Sequence, residues 1–266
     1  MHRRAHAGRN PQASASIFKG YCVRLTRVHV EGALVPGSEI ALPEDAAAHL
    51  ARVLRLRQGD ACVLFNGDGH DYHAQLLRID RREVVAAVTG ARAVDTESPL
   101  HITLLQGIAR GEKMDLILQK ATELGVAALL PVDSERSEVR LTGERLHKRL
   151  AHWRGVVVAA CEQSGRAQVP QVAEPQALLA AAAALPADSL RLLLDPQGTH
   201  ALKMLAAPTS GQVVIAIGPE GGWSPRDRKA LETHRFQGLR LGPRVLRTET
   251  AGLAAIAAVQ ALLGDL

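Results

Sequence analysis

From about residue 95 to the end, strand-like and helix-like segments alternate. "HITLLQGI" precedes a helical pattern at 112–125, and "VAALLPV" precedes another at roughly 143–164. A linker with Pro170 and Pro175 leads to an alanine-rich helix and "RLLLD". "QVVIAI", a helix from 224, "GLRLG" and a last helix from 248 complete the series. The apolar runs are short and continuous rather than alternating, as strands buried on both faces require. The order predicts an α/β unit, a mostly parallel sheet flanked by helices. Ligands of such sheets bind outside the carboxyl ends of the strands, so the strand-to-helix loops are the places to look for function.

The preceding part reads differently. "VRLTRVHV", "ACVLFN", "HAQLLRI" and "EVVAAVT" suit strands, and Asn66-Gly67 followed by Asp68-Gly69 is a hairpin turn signal. One helix interrupts them, opened by Pro43 and Glu44, with Ala47, Leu50, Ala51 and Leu54 on its apolar face. The expected organisation is therefore a flexible extension at 1–22, a small β domain at 23–95 and the α/β domain at 96–266. The formal net charge of +5 is uneven. Residues 1–20 hold four cations and no acid, 21–95 sum to −1 and 96–266 to +2, so local clusters rather than bulk charge must identify a partner. Cys22, Cys62 and Cys161 are odd in number and widely spaced, which fits a reduced, cytosolic compartment. No apolar run reaches the length of a membrane span.

"AIGPEGGWSPRD" (216–227) sits on one of the strand-to-helix loops. Ser224, Pro225 and Asp227 form an N-terminal capping signature, so the glycines Gly218, Gly221 and Gly222 lie between strand and helix. Trp223 and Ser224 stand where a phosphate cradle needs Lys, and the glycine spacing fails the dinucleotide fingerprint. Glu220 would repel a pyrophosphate and tolerate a cation. A plain tight turn stays open on this loop alone. "LRLGPRVLRTETA" (239–251) is a second strand end, with Gly242-Pro243, Thr248 as an expected N-cap and Glu249 in the first helical turn. Two such loops suit adjacent walls of one pocket.

Other clusters are weaker. Arg52, Arg55 and Arg57 suit a phosphate-binding patch or a solvated helix end. Met114, Ile117, Leu118, Ala121 and Leu124 form one apolar helix face, opposite Lys113, Lys120 and Glu123. "CEQSGR" puts Gln163, Ser164 and Arg166 at a helix end, and "SERSEV" puts Arg136 just after a strand. His70 and His73 on one strand make a poor ligand pair, and no metal is expected. Aromatic content of 3% argues for backbone and shape recognition over base stacking.

"GPEGGWSPRD" with "LRLGPRVLRTETA" resembles the SPOUT methyltransferases, specifically those that methylate uracil N3 in small-subunit (16S) ribosomal RNA. "ARVLRLRQGD" and "FNGDG" are similar to the family's PUA-like N-terminal β-barrel domain. "GIARGEKMDLILQKATELGV", "SERSEV" and "AACEQSGR" are similar to the first half of its catalytic domain. The resemblance spans about 23–266. It implies a trefoil knot, a homodimer joined through helices 224–235 and 248–264, and S-adenosylmethionine as methyl donor. It places Leu194, Gly218, Pro219, Glu220, Gly221, Leu241, Gly242 and Leu246 at the cofactor. Arg247, Glu249 and Arg136 become the expected catalytic residues. Arg52, Arg55, Arg57, Gln163, Ser164 and Arg166 become expected RNA contacts. A non-catalytic RNA-binding or ribosome assembly factor, or a methyltransferase of another RNA such as transfer RNA, stays open.

Overall fold

The computed structural model describes residues 25–48, 50–51, 55–80 and 83–266. The extension at 1–22, with Cys22, and Arg52 and Leu54 of the first helix signal lie outside these residues. The N-terminal part consists of β1 (Arg27–His29), β2 (Glu39–Ala41), α1 (Glu44–Ala48), β3 (Ala61–Phe65), β4 (His70–Ile79) and β5 (Val84–Ala93). Hydrogen bonding runs β1-β3-β4-β5-β2, with no bonded closure between β1 and β2 among the described residues. The expected hairpin joins β3 to β4. Gly67 and Gly69 both adopt left-handed φ, +92° and +88°, which only glycine reaches without cost. Leu50, Leu64, Leu76 and Ala86 fill the core of this sheet.

The C-terminal part follows the expected alternation. β6 (His101–Gly107), α2 (Glu112–Glu123), β7 (Val126–Asp133), α3 (Gly143–Ser164), β8 (Gln171–Val172), β9 (Gln176–Ala177) and α4 (Leu178–Ala183) come first. β10 (Leu190–Leu194), β11 (His200–Ala201), β12 (Gln212–Ile217), α5 (Pro225–Thr233), β13 (Gln237–Arg240) and α6 (Thr248–Leu263) follow. All the recorded strand pairs are parallel, in the order β11-β13-β10-β12-β6-β7-β8 with β9 also on β7.

Why "QVVIAI" is apolar throughout is now explicit. Val213, Ile215 and Ile217 enter the core under α2, α3 and α6, with Met114, Ile117, Trp153 and Ile256. Val214 and Ala216 face the opposite core with Leu178, Leu231 and Trp223, under α4 and α5. A strand buried on both faces has no solvent side on which to place polar residues.

The two sheets are tied together by a buried charge network. Arg27 pairs with Asp71 and donates to the Arg166 carbonyl at 2.9 Å. Arg166 is 4% exposed; it pairs with Glu97 and donates to the carbonyls of Thr122 and Val126, both at 2.8 Å. This corrects the expectation for Arg166 as an RNA contact. Every face of its guanidinium is spent inside the protein, where an unpaired charge could not be tolerated. Gln163 stays exposed, while the Ser164 hydroxyl is buried without a hydrogen bond. Arg55 and Arg57 are exposed. Among the described residues, no helix is long and apolar enough to cross a membrane, and no group of three or more His, Cys, Asp or Glu could hold a metal.

Candidate functional site

The carboxyl ends of β10, β12 and β13 converge on a pocket of about 470 Å³. That volume is ample for a small-molecule ligand. Leu194 closes β10 into it; Gly218, Pro219, Glu220 and Gly221 come from the loop after β12; Leu241, Gly242 and Leu246 come from the loop after β13. Arg136, Arg247 and Glu249 also line it, so the two glycine-proline strand ends do form walls of one cavity.

Local chemistry explains how these loops hold their shape. α5 begins with a full capping box: the Asp227 amide donates to Ser224 Oγ at 3.0 Å, and the Ser224 amide donates to the Asp227 carboxylate at 3.1 Å. Gly107, at the end of β6, faces Pro219. A Cβ there would stand 2.5 Å from the proline Cδ, so no larger residue lets the loop lie this close. The second loop differs from expectation at Thr248, which is the first helical residue rather than the N-cap; Arg247 takes that position, with no side-chain capping bond. The Thr248 hydroxyl is occupied elsewhere. It donates to the Gly218 carbonyl at 2.6 Å and accepts from Gln106 Nε2 at 3.0 Å, fastening one pocket wall to the other.

The charges in the pocket fall into two groups. Arg228 pairs with Asp195, and Lys113 Nζ donates to Glu220 Oε1 at 3.2 Å. The Arg110 amide donates to the same oxygen at 3.1 Å. Burial works against the Glu220 charge, but these two donors outweigh it and hold its pKa below the ordinary 4.5. Arg136 Nη1 donates to the Gly221 carbonyl at 2.9 Å. Arg244 and Arg247, by contrast, are exposed and make no ion pair with any described residue. Glu249 Oε2 is buried without a hydrogen bond, 4.0 Å from Lys113 Nζ. The indole N–H of buried Trp223, another lining residue, is likewise unpartnered.

Lys113 had no expected role beyond marking the polar face of its helix. It follows the loop after β6, at the same sheet edge as the two glycine loops, and that position was the available signal. Arg228, Arg244 and Trp223 were also missed, because spacing in sequence says nothing about convergence of separate strand ends. Arg55, Arg57, Gln163 and Ser164 lie outside the pocket.

Comparison with known proteins identifies the family. A family described as an RNA methyltransferase domain matches residues 96–260, and one described as an RNA methyltransferase PUA domain matches 42–89. These matches place the molecule in the class of RNA methyltransferases that join a PUA domain to an α/β domain. "Ribosomal RNA small subunit methyltransferase E" of Buchnera aphidicola is 30% identical over 91% of this chain and 98% of its own length. The Mycobacterium tuberculosis protein of that name is 32% identical over 85% and 87%. The chain belongs to the ribosomal RNA small subunit methyltransferase E family. A Neisseria gonorrhoeae member solved bound to S-adenosyl methionine superposes with a TM-score of 0.86, 39% identity and coverage of 91% of this chain and all of that one. A Legionella pneumophila methyltransferase structure with bound cofactor SAM gives 0.88 and 37%, covering 92% and 100%.

Proposed function

We propose that the chain methylates N3 of a uracil in small-subunit ribosomal RNA, with S-adenosylmethionine as methyl donor. The observation that carries this reading is one pocket built from both glycine loops, containing an unpaired arginine, Arg247, and a carboxylate, Glu249, with a buried oxygen that makes no hydrogen bond. The donor fits what is present. Apolar Leu194, Leu241 and Leu246 suit an adenine, and close loop backbone supplies polar partners.

When bound, the donor supplies a sulfonium methyl for in-line displacement. The protein must then make N3 a nucleophile, because neutral uracil carries a proton there. Glu249 accepts that proton, while Glu220 is committed to Arg110 and Lys113 and serves to shape the loop. Arg247 stabilises the negative charge that spreads to the uracil oxygens, and Arg136 steadies the glycine loop. N3 lies on the pairing edge, so the base enters unpaired or flipped.

The family resemblance also carries a knotted C-terminal domain and a homodimer. Beyond Glu249, α6 has no charged residue, and Leu253, Ala254, Ala257 and Ala258 are half-exposed on the face turned away from the core. An apolar outer face of this kind calls for a partner surface.

The test is methylation of purified small subunits and of transfer RNA with labelled cofactor, followed by nucleoside analysis. 3-Methyluridine from the small subunit is expected. A ribose methyl or a methylated guanine would refute the N3 assignment, and absence of cofactor binding by calorimetry would favour a non-catalytic assembly factor.

A further inference from the structure

Residues 140–154 carry Arg140, Arg145, Lys148, Arg149 and Arg154 against one acid, Glu144. Arg145 lies in the first turn of α3, where unpaired backbone N–H groups already make the helix end positive, and Arg149 follows one turn further on. Cations are disfavoured there, and Arg145 and Arg149, four residues apart on one face, repel each other as well. Helix stability alone would select against this arrangement. Lys148 is paired with Glu144 at 2.7 Å, and Arg140 has Asp133 at 3.9 Å. Arg145 and Arg149 make no ion pair or side-chain hydrogen bond with any described residue; Arg145 is exposed and Arg149 half-buried.

Topology puts this helix end at the pocket's edge of the sheet. β7 ends at Asp133, and the loop that carries Arg136 into the pocket runs directly into α3. α2 and α3 run side by side in the same direction: His152 meets Asp115 near the start of α2 at 2.8 Å, and Arg166 just past α3 meets Thr122 near its end. With His152 opposite Asp115, α3 extends beyond the start of α2 by about six residues, roughly 9 Å. The overhang carries Arg145 and Lys148, with Arg149 at its base and Arg140 in the loop just before it. The one Trp, Tyr or Phe of residues 140–154, Trp153, lies beyond the overhang, is 1% exposed and is turned to the core, so no such ring is offered there for base stacking.

We propose that this overhang is an RNA backbone rail: Arg145 and Arg149, aided by Arg140 and Lys148, grip phosphates of the strand that delivers its base to the pocket. The proposal rests on the reading of the pocket as an RNA methylation site. Phosphate contacts position a strand without reading its sequence, which is the service such a ridge can perform.

The experiment compares the full-length protein with its Arg145→Ala/Arg149→Ala variant. Binding of a labelled single-stranded oligouridylate and of deproteinised small-subunit ribosomal RNA is measured across a salt series, with calorimetry of S-adenosylmethionine alongside. The slope of log affinity against log salt should shrink by roughly 1.4, two phosphate contacts at about 0.7 each, for both RNAs. Cofactor affinity should not change, and the melting temperature should hold or rise as the helix-end repulsion is relieved. An unchanged slope in a variant that still binds cofactor would overturn the rail. So would an unchanged slope accompanied by loss of self-association, which would make the ridge a subunit contact. If the wild-type protein binds no cofactor and transfers no methyl group, the reading of the pocket itself fails, a result distinct from either.

Discussion

At the scale of single residues, the site separates groups that are already engaged from groups left free to act. Glu220 is held by a backbone amide and an ammonium, whereas Glu249 Oε2 makes no hydrogen bond and has only the longer 4.0 Å ion contact with Lys113. Arg247→Ala should lower the methyl-transfer rate by about 10²–10³, the range typical of losing one donor to a developing anion, while calorimetry shows cofactor affinity largely kept. Unchanged turnover would remove Arg247 from the mechanism. For Glu220 the pH dependence has a definite sign. Its folded pKa is depressed, so its contribution to stability is present above the ordinary 4.5 and is lost as pH falls through the lower folded value. Melting curves of Glu220→Gln and wild type should therefore differ near neutrality and converge in acid. The thiols of Cys62 and Cys161 are pushed up to about 11 by burial, so neither should react with an alkylating reagent at pH 8 until the protein unfolds. Glu220 and Glu249 were legible as candidates from their places in the first and second glycine loops, and Arg247 from the family resemblance of the second. Lys113 was not, because its meeting with Glu220 spans 107 residues.

At the scale of elements, local rules identified helix starts where the side chain has nothing else to bind. Ser224 caps α5 as its motif implies, and Ser224→Ala should cost about 1 kcal/mol in denaturant unfolding. Thr248 followed no such rule. Its hydroxyl satisfies Gly218 and Gln106 instead of its own helix, a competition invisible in a linear motif. Arg166 likewise looked like a polar helix-end group and is instead the centre of a buried network joining two sheets. Close approach of elements is equally non-local. Gly107→Ala should destabilise by about 1–3 kcal/mol through overpacking against Pro219, and a variant as stable as wild type would show that the loop can move aside.

At the scale of the whole molecule, the proposed homodimer is the feature with the clearest surface signal. Leu253→Glu on the outer face of α6 should convert a dimer to monomers in light scattering, and a wild-type protein that already runs as a monomer would exclude it. The sequence by itself determined the order and type of the major elements, because apolar periodicity and turn chemistry act over a few residues. It determined the two doubly buried faces of β12 and the paired glycine loops for the same reason. Tertiary structure alone decided that the end of β10 joins the two glycine loops, that Lys113 stands between Glu220 and Glu249, and that Arg166 is turned inward. Those outcomes depend on parallel strands that adjoin in space while lying far apart in the chain, where no local pattern reaches.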